Sequence, residues 1–384
     1  MRLLIQPKDG VLPIVKAIAS AKSSVEIVIF RFDQREVERA LANAVSRGIF
    51  VHALIAHTNR AGEEGLRKLE MRLLAAGVTV ARTADDLVRY HDKYLIIDHR
   101  ELYLLAFNYT HLDIEHSRSF GIVTRSRELV REAMKLFEAD TKRHPYEPGL
   151  DAFVVSPVNA RQQLAKLIAS AHKELIIYDP KISDPAMMNA LAARAKAGVS
   201  IRILGQLTRR IPGVSVRKLR QIRLHTRTIV RDNHVAFIGS QSLRALELDE
   251  RRETGVVFRY PNVVSQLVRT FDEDWAGAEQ AEEQAAKDAG AEPVVKLARK
   301  VAKALTKELP PVAAVLEGAV RDVLGNGVQV ELDAKEVESI VKDAVKAAVA
   351  DAVRDVVEDA VDTEGVAVPI APPAQTAEAH EEAE

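Results

Sequence analysis

Two segments of the chain, YHDKYLIID at 90–98 and HTRTIVRD at 225–232, carry the pattern that decides its fold. In both, a histidine is followed two residues later by a cation and then, after four further residues, by an aspartate. The apolar run inside each segment predicts a buried strand. After six more residues come two further matching segments, LAFN at 105–108 and GSQS at 239–242. The sequence therefore predicts two copies of one structural unit.

An internal repeat with an offset of 150 residues supports this interpretation. Residues 18–21 and 168–171 are both Ile-Ala-Ser-Ala, and Gly48 aligns with Gly198. Each copy reads strand, helix, strand, Ala-rich helix and strand, which predicts a mainly parallel α/β sheet with ligands at the carboxyl ends of its strands. Arg31 and Lys181 share the offset just past equivalent strands, so they are candidates for the rim of an anion site.

The predicted fold class is α/β, with one repeat at 1–145, a second at 146–276 and a separate region at 277–384. This last region is rich in Ala, Val and Glu, which predicts a helical extension followed by a disordered tail. Valines at every fourth position from Val337 to Val361 form one apolar stripe. We expect this helix to pack on its own chain or to mediate self-association, with weak membrane-surface binding as the alternative.

The composition excludes several kinds of chemistry. The chain has no cysteine, which rules out disulfides, thiolate nucleophiles and cysteine-ligated metals. It shows neither a secretory leader nor an apolar stretch long enough to cross a membrane, so we expect a cytoplasmic protein, with peripheral membrane association as the alternative. The net charge of −1 argues against a polybasic nucleic-acid coat. A basic run at 209–223 is either a solvated face or a surface that gathers an anionic substrate.

The twice-registered pattern resembles the phospholipase D superfamily of phosphodiesterases, which includes cardiolipin synthases. In that family two H-x-K-x4-D elements, each followed by G-S-x-N, meet at one site. The resemblance covers about 275 residues and implies two α/β/α repeats packed around a pseudo-twofold axis. The catalytic residues that it implies are His91, Lys93, Asp98, His225, Arg227 and Asp232. This chain departs from the pattern at Leu105 and Ala106 in the first copy and at Arg227 and Ser242 in the second.

These residue types suit phosphodiester cleavage for physical reasons. The reaction requires a nucleophile, a proton donor for the leaving alkoxide and fixed positive charge near the non-bridging oxygens. Two imidazoles can supply the first two because histidine titrates near neutral pH. Lys93 and Arg227 would hold the phosphate, and we expect no metal and no other cofactor. The expected substrate-binding residues are Asn108, Ser240, Ser242 and Glu253.

The resemblance also implies individual roles. It assigns His91 as the nucleophile and His225 as the general acid and subsequent base. It places Asp98 and Asp232 behind the histidines, and we expect Glu253 to fix His225 through its ring proton. A turn role after the strand is the alternative for both aspartates, because Asp favours such corners.

Three functions remain open from the sequence. The leading hypothesis is a phosphodiesterase that cleaves or transfers a phosphatidyl group through a phosphohistidine intermediate. A nuclease of the same superfamily, with nucleic acid as the substrate, is the second. A catalytically weak scaffold is the third, suggested by the degenerate half-motifs. The expected partner is a phospholipid or another phosphodiester.

Overall fold

The computed structural model describes residues 1–59 and 63–289, which include both predicted repeats. Residues Met1–Ala285 form one compact unit. Its framework is two sheets of eight strands each, with helices packed on them. The valine stripe, and with it the predicted self-association, lies outside the described residues.

The first repeat contributes eight strands and five helices. In chain order they are β1 (Arg2–Gln6), α1 (Leu12–Ser20), β2 (Ser24–Ile29), α2 (Arg35–Ser46), β3 (Phe50–Ile55), α3 (Glu64–Ala75), β4 (Thr79–Arg82), β5 (Arg89–Tyr90), β6 (Tyr94–Ile97), β7 (Glu101–Leu105), α4 (His111–Glu115), β8 (Ser117–Thr124) and α5 (Arg127–Lys142).

The second repeat has the same order of elements, except that one helix of the first copy has no counterpart. Its elements are β9 (Phe153–Ser156), α6 (Ala160–Ala169), β10 (Glu174–Ile182), α7 (Pro185–Lys196), β11 (Ser200–Leu207), β12 (Val214–Arg217), β13 (Arg223–Leu224), β14 (Arg227–Arg231), β15 (Val235–Gly239), α8 (Ala245–Asp249), β16 (Arg251–Phe258) and α9 (Pro261–Ala289). The boundary predicted at 276 falls inside α9.

The strand orders of the two sheets correspond position by position. The first sheet runs β1-β8-β7-β6-β2-β3-β4, and the second runs β9-β16-β15-β14-β10-β11-β12 when read in the same direction. Only β2-β3-β4 and β10-β11-β12 pair in parallel along these paths. The expectation of mainly parallel pairing is therefore wrong. The alternation of strands with helices ends in mid-repeat, where short turns join β6 to β7 and β14 to β15 into antiparallel hairpins.

Each repeat lends one two-residue strand to the sheet of the other repeat. Strand β5 pairs in parallel with β16, which aligns Tyr90 with Arg252. Strand β13 pairs in the same way with β8, which aligns Leu224 with Arg118. Because β5 and β13 end one residue before His91 and His225, this exchange places each histidine against the opposite sheet.

The two sheets share one hydrophobic core built by aromatic side chains from both repeats and from α9. Phe120 contacts Tyr178 edge to face at 5.4 Å between ring centroids, and Tyr178 contacts Phe271 at 5.0 Å. All three rings are almost completely buried. Edge-to-face pairs of this kind add to the free energy gained from burial alone. Helix α9 is therefore part of the core, through Phe271.

We expect Phe271→Ala to lower the free energy of unfolding by about 3–5 kcal/mol, because the truncation leaves a cavity where two aromatic rings meet. Phe50→Ala is the matched control, since Phe50 is 53% exposed. Its cost should stay below about 1 kcal/mol. Urea denaturation of both variants measures the difference, and equal costs would show that α9 does not contribute to the core.

Asp98 and Asp232 occupy equivalent turns at the ends of β6 and β14. Both have a left-handed backbone, with φ of 54° in each case. The Asp98 carboxylate accepts hydrogen bonds from the backbone N–H groups of Ser23 at 2.7 Å and Lys22 at 2.9 Å. Asp232 accepts from the N–H groups of Lys173 at 2.7 Å and of its two neighbours. Each aspartate therefore links the end of its own strand to the start of the strand paired with it, β6 to β2 and β14 to β10.

This placement corrects the expectation that the two aspartates lie behind the histidines. The four residues of β6 separate Asp98 from the segment that carries His91, a distance of about 13 Å along an extended strand. Asp232 is likewise at the far end of β14. The alternative turn role agrees with these contacts. Although burial opposes ionisation, the backbone N–H groups outweigh it and lower the pKa of each carboxyl.

Asp98→Asn should destabilise the fold by about 1–3 kcal/mol at pH 7, because the carboxylate accepts charge-assisted hydrogen bonds that an amide makes less well. Asn tolerates the left-handed backbone, so the charge is the main change. A carboxyl with a lowered folded-state pKa stabilises the fold above its unfolded pKa of about 3.9 and loses this effect as the pH falls.

The difference in the free energy of unfolding between the wild type and Asp98→Asn should therefore become smaller below about pH 4. Thermal unfolding between pH 3 and pH 8 checks this, with Asp151→Asn as an exposed control. A stability difference that does not change with pH would show that the charge of the Asp98 carboxylate does not stabilise the fold.

Candidate active site

His91 and His225 are held at the junction of the two sheets by backbone hydrogen bonds to the opposite repeat. The N–H of His91 donates to the carbonyl oxygen of Arg252 at 2.7 Å, and the N–H of His225 donates to that of Arg118 at 3.1 Å. Both histidines are buried, and the charges of Lys93 and Arg227 act on both rings. The structure therefore brings together the two histidines and the two cations of the motifs.

The two cations adopt equivalent poses. The ammonium group of Lys93 donates to the carbonyl oxygen of His91, and Nη1 of Arg227 donates to that of His225 at 2.6 Å. The Lys93 ammonium also lies 5.3 Å from the ring centroid of Phe30. Burial lowers the pKa of Lys93 to about 7, opposed by Glu253 and assisted by Arg227. An anion in the site would favour the charged form of Lys93, because an opposite charge nearby raises the pKa of an ammonium group.

Glu253 contacts His91 instead of His225. The Nδ1 atom of His91 lies 2.8 Å from Oε2 of Glu253, and the carboxyl is completely buried. Burial raises the pKa of Glu253 to about 8, and burial with the charges of Lys93 and Arg227 lowers that of His91 well below its usual value. The expectation that Glu253 fixes His225 is wrong, because the exchanged strand β5 places His91 against β16 and not against its own sheet.

His225 has a different environment. Ser119 stands at the position in β8 that Glu253 occupies in β16, and the Nδ1 atom of His225 has no hydrogen-bond partner among the described residues. On the other side of the ring, Nε2 lies 3.6 Å from Oδ2 of Asp113. Burial lowers the pKa of His225, while the Asp113 carboxylate opposes this shift. The two histidines are thus equivalent in backbone position and different in carboxylate contact.

The remaining predicted substrate-binding residues divide into two groups. The side-chain amide of Asn108 donates to Oδ2 of Asp113 at 2.6 Å, and the hydroxyl of Ser242 accepts from Nε of Arg227 at 3.1 Å. Ser242 therefore lies beside a motif residue, whereas Asn108 contacts a carboxylate that neighbours His225. The Ser240 hydroxyl accepts from the N–H of Thr254 at 3.2 Å, so it joins neighbouring strands.

Sequence reasoning missed two buried carboxylates, Asp113 and Glu247. Asp113 stands five residues after Asn108, and Glu247 stands five residues after Ser242. The alignment of the two repeats was therefore sufficient to identify an acidic position that both share. Oε2 of Glu247 accepts from the N–H of Ser242 at 2.7 Å and lies 3.8 Å from Nη2 of Arg227. The acidic position is thus present, in register, in both repeats.

The basic run at 209–223 is only partly a solvated face. Arg223 forms an ion pair with Asp113 at 2.6 Å, and Arg217 lies over the Trp275 ring at 4.4 Å. Lys218 and Arg220 are exposed. Of the two rim candidates, Arg31 is half-buried and Lys181 is exposed.

Neither a metal site nor a membrane-spanning helix is found in the described part of the chain. It contains no group of three or more His, Asp or Glu side chains arranged to hold a metal ion. Within the same residues, no helix has the length and apolar character needed to span a membrane.

A mitochondrial cardiolipin hydrolase from Danio rerio is 29% identical over 130 residues, which cover 33% of this chain and 56% of that protein. The chain thus spans about half the length of this relative.

Among solved structures, a polyphosphate kinase from Porphyromonas gingivalis has a TM-score of 0.60 at 17% identity, covering 71% of this chain and 50% of its own. A phosphatidylserine synthase from Haemophilus influenzae Rd KW20 has a TM-score of 0.58 at 10% identity, covering 72% and 86%. These two likenesses concern the fold. The family described as cardiolipin synthase, phospholipase D-like domain, matches residues 14–141 and 164–275. The chain, with two such repeats joined at one pair of histidines, belongs to this family of the phospholipase D superfamily.

Proposed function

We propose that the protein cleaves or transfers the phosphatidyl group of a phospholipid through a phosphohistidine on His91. The observation that carries the proposal is the 2.8 Å contact between Nδ1 of His91 and the buried Glu253 carboxyl. A carboxylate at Nδ1 fixes the tautomer whose Nε2 lone pair is free to attack. Among the motif histidines, only His91 has this arrangement in the described structure.

In the first step, Nε2 of His91 attacks phosphorus and a P–N bond forms. The P–O bond to the leaving alcohol breaks, and His225 gives its ring proton to the departing oxygen. The phosphorylated ring of His91 is positively charged, and the Glu253 carboxylate stabilises that charge. This stabilisation also favours ionisation of Glu253, whose pKa burial raises to about 8 in the free protein.

In the second step, His225, now neutral, removes a proton from water or from an acceptor alcohol. The oxygen attacks phosphorus and the P–N bond breaks, which regenerates neutral His91. Lys93 and Arg227 neutralise the non-bridging oxygens throughout, aided by further donors from Asn108 and Ser242. No divalent metal enters these steps, and activity should persist in chelator.

A phospholipid is favoured over nucleic acid because the family match and the hydrolase relative both bear lipid names. The near-neutral net charge is consistent with this choice. We place the protein in the cytoplasm, with peripheral access to a membrane surface.

A substrate panel tests the proposal. We expect metal-independent release of headgroup from phosphatidylglycerol, cardiolipin or phosphatidylcholine vesicles and little cleavage of single-stranded DNA. Bis(p-nitrophenyl) phosphate should be cleaved as a minimal phosphodiester. Cleavage of DNA alone would assign the nuclease function, whereas no turnover of any of these substrates would favour the scaffold.

The roles of the histidines predict different fates for two alanine variants. His91→Ala should form no covalent adduct with any substrate. His225→Ala should still form a phosphohistidine at His91 with a p-nitrophenyl diester, whose leaving group needs no proton, and should then stall because water is not activated. Intact-mass analysis after quenching detects the adduct, and peptide mapping locates it. An adduct on His225 would reverse the assignment, and full activity of His225→Ala would remove the two-histidine mechanism.

A further inference from the structure

Asp113 lies at the centre of an ion and hydrogen-bond cluster on the His225 side of the site. Its Oδ2 atom accepts from the backbone and side-chain N–H groups of Asn108, at 2.9 and 2.6 Å, and lies 3.6 Å from Nε2 of His225. Its Oδ1 atom accepts from Nη1 of Arg223 at 2.6 Å. Arg223 and Asn108 therefore fix the carboxylate in one orientation, with Oδ2 directed at the histidine.

The neighbours of Asp113 keep it ionised. Burial opposes the charge, but His225, the N–H of Asn108 and Arg223 outweigh it and lower the pKa of Asp113 to about 2. A permanent negative charge at this position matters because the other charged groups that act on the ring are all cationic: Arg227, Arg223 and Lys93. His91 is the remaining titratable neighbour. Asp113 is the one carboxylate within 4 Å of His225 in the described structure.

We propose that Asp113 is the positioning residue of His225, holding a proton on Nε2 so that this histidine serves as the acid toward the leaving alcohol. The proposal rests on the proposed function and adds to it a residue outside the repeated motifs. His91 has Glu253 as its carboxylate neighbour, but the equivalent position in the other repeat is Ser119, which offers His225 no carboxylate. Asp113 supplies His225 with a carboxylate neighbour from a different position.

The equivalent carboxylate in the second repeat supports this division of roles. Glu247 bonds to the backbone of Ser242 as Asp113 bonds to that of Asn108. It then contacts Arg227, Arg244 and Arg251, and none of its ion pairs in the described structure involves His91. The position is thus acidic in both repeats, but only the first copy directs the charge at a histidine.

The two carboxylates lie next to different nitrogens of the two histidine rings. Glu253 contacts Nδ1 of His91, and a proton held on Nδ1 by this contact would leave Nε2 free, as a nucleophile requires. Asp113 faces Nε2 of His225, the nitrogen that would carry the transferable proton. The anionic phosphate of the substrate and the Asp113 carboxylate both favour the imidazolium form of His225. When the leaving oxygen takes the Nε2 proton, the imidazolium becomes neutral imidazole and Asp113 remains ionised, so the step balances.

Nitrogen-15 NMR of the full chain, with labelled histidine at pH 7, tests the contact without relying on activity. In the wild type, the Nε2 shift of His225 should be that of a protonated nitrogen. Asp113→Asn should reduce this protonation and leave the Nε2 shift of His91 in place. Asp113→Glu should restore it in part, and Glu247→Gln should leave His225 unchanged. An unprotonated Nε2 in the wild type, or an identical shift in Asp113→Asn, would overturn the proposal.

Kinetics separate positioning from a general structural role. Asp113→Asn should lower kcat by about 100-fold for a phospholipid, whose alcohol must be protonated, with little change in KM. The burst of p-nitrophenol from a p-nitrophenyl diester should fall by less than about threefold, because that leaving group needs no proton. The loss of phospholipid activity with rising pH should also move to lower pH, since removing the Asp113 charge lowers the pKa of His225.

Equal losses on both substrates would mean that Asp113 only supports the fold, and the proposal would fail. A wild-type protein inactive on every phosphodiester would instead overturn the proposed function. In that case the NMR comparison would still decide whether Asp113 holds the proton on His225.

Discussion

The exchange of β5 and β13 between the two sheets is the constraint on which the site depends. Each exchanged strand has two residues, so its backbone hydrogen bonds contribute little to stability, about 0.5–1.5 kcal/mol each. The shared aromatic core must therefore hold the sheets together. The effect of the exchange on the site is that the histidine of each repeat lies beside residues of the other repeat. Neither repeat would have a complete site alone, because His91 takes its carboxylate from β16 and His225 takes its contact from the first repeat.

The electrostatics of the site oppose folding and favour anion binding. Lys93 is completely buried, and burial lowers its pKa to about 7. Burying a cation in this way is costly unless an opposite charge compensates it. The opposite charges present, Glu253 and Asp113, contact the histidines. A phosphate between the two cations would supply this compensation, so binding of an anionic substrate is favoured electrostatically.

The duplicated spacing was sufficient to predict the two repeats, and the family resemblance carried by that spacing implied that His91, Lys93, His225 and Arg227 meet at one site. It was not sufficient to predict which histidine Glu253 contacts, since hydrophobic periodicity reports the face of a strand and not its neighbour in another sheet. The placement of Asp98 agrees with the turn role that the sequence offers as the alternative, and the length of the strand favours that role. A strand of four residues puts its two ends about 13 Å apart, so a residue beyond one end cannot touch a histidine before the other.

A site with twofold symmetry cannot assign two different roles to two identical histidines unless the symmetry is broken. Burial and the surrounding cations lower the pKa of both rings, so these shared features do not distinguish them. The differences lie in one pair of positions, where Glu253 corresponds to Ser119, and in the directions that Asp113 and Glu247 take. A carboxylate at Nδ1 exposes a lone pair at Nε2, whereas a carboxylate facing Nε2 favours a proton there. Moving the carboxylate around the ring is therefore enough to make one histidine the nucleophile and the other the acid.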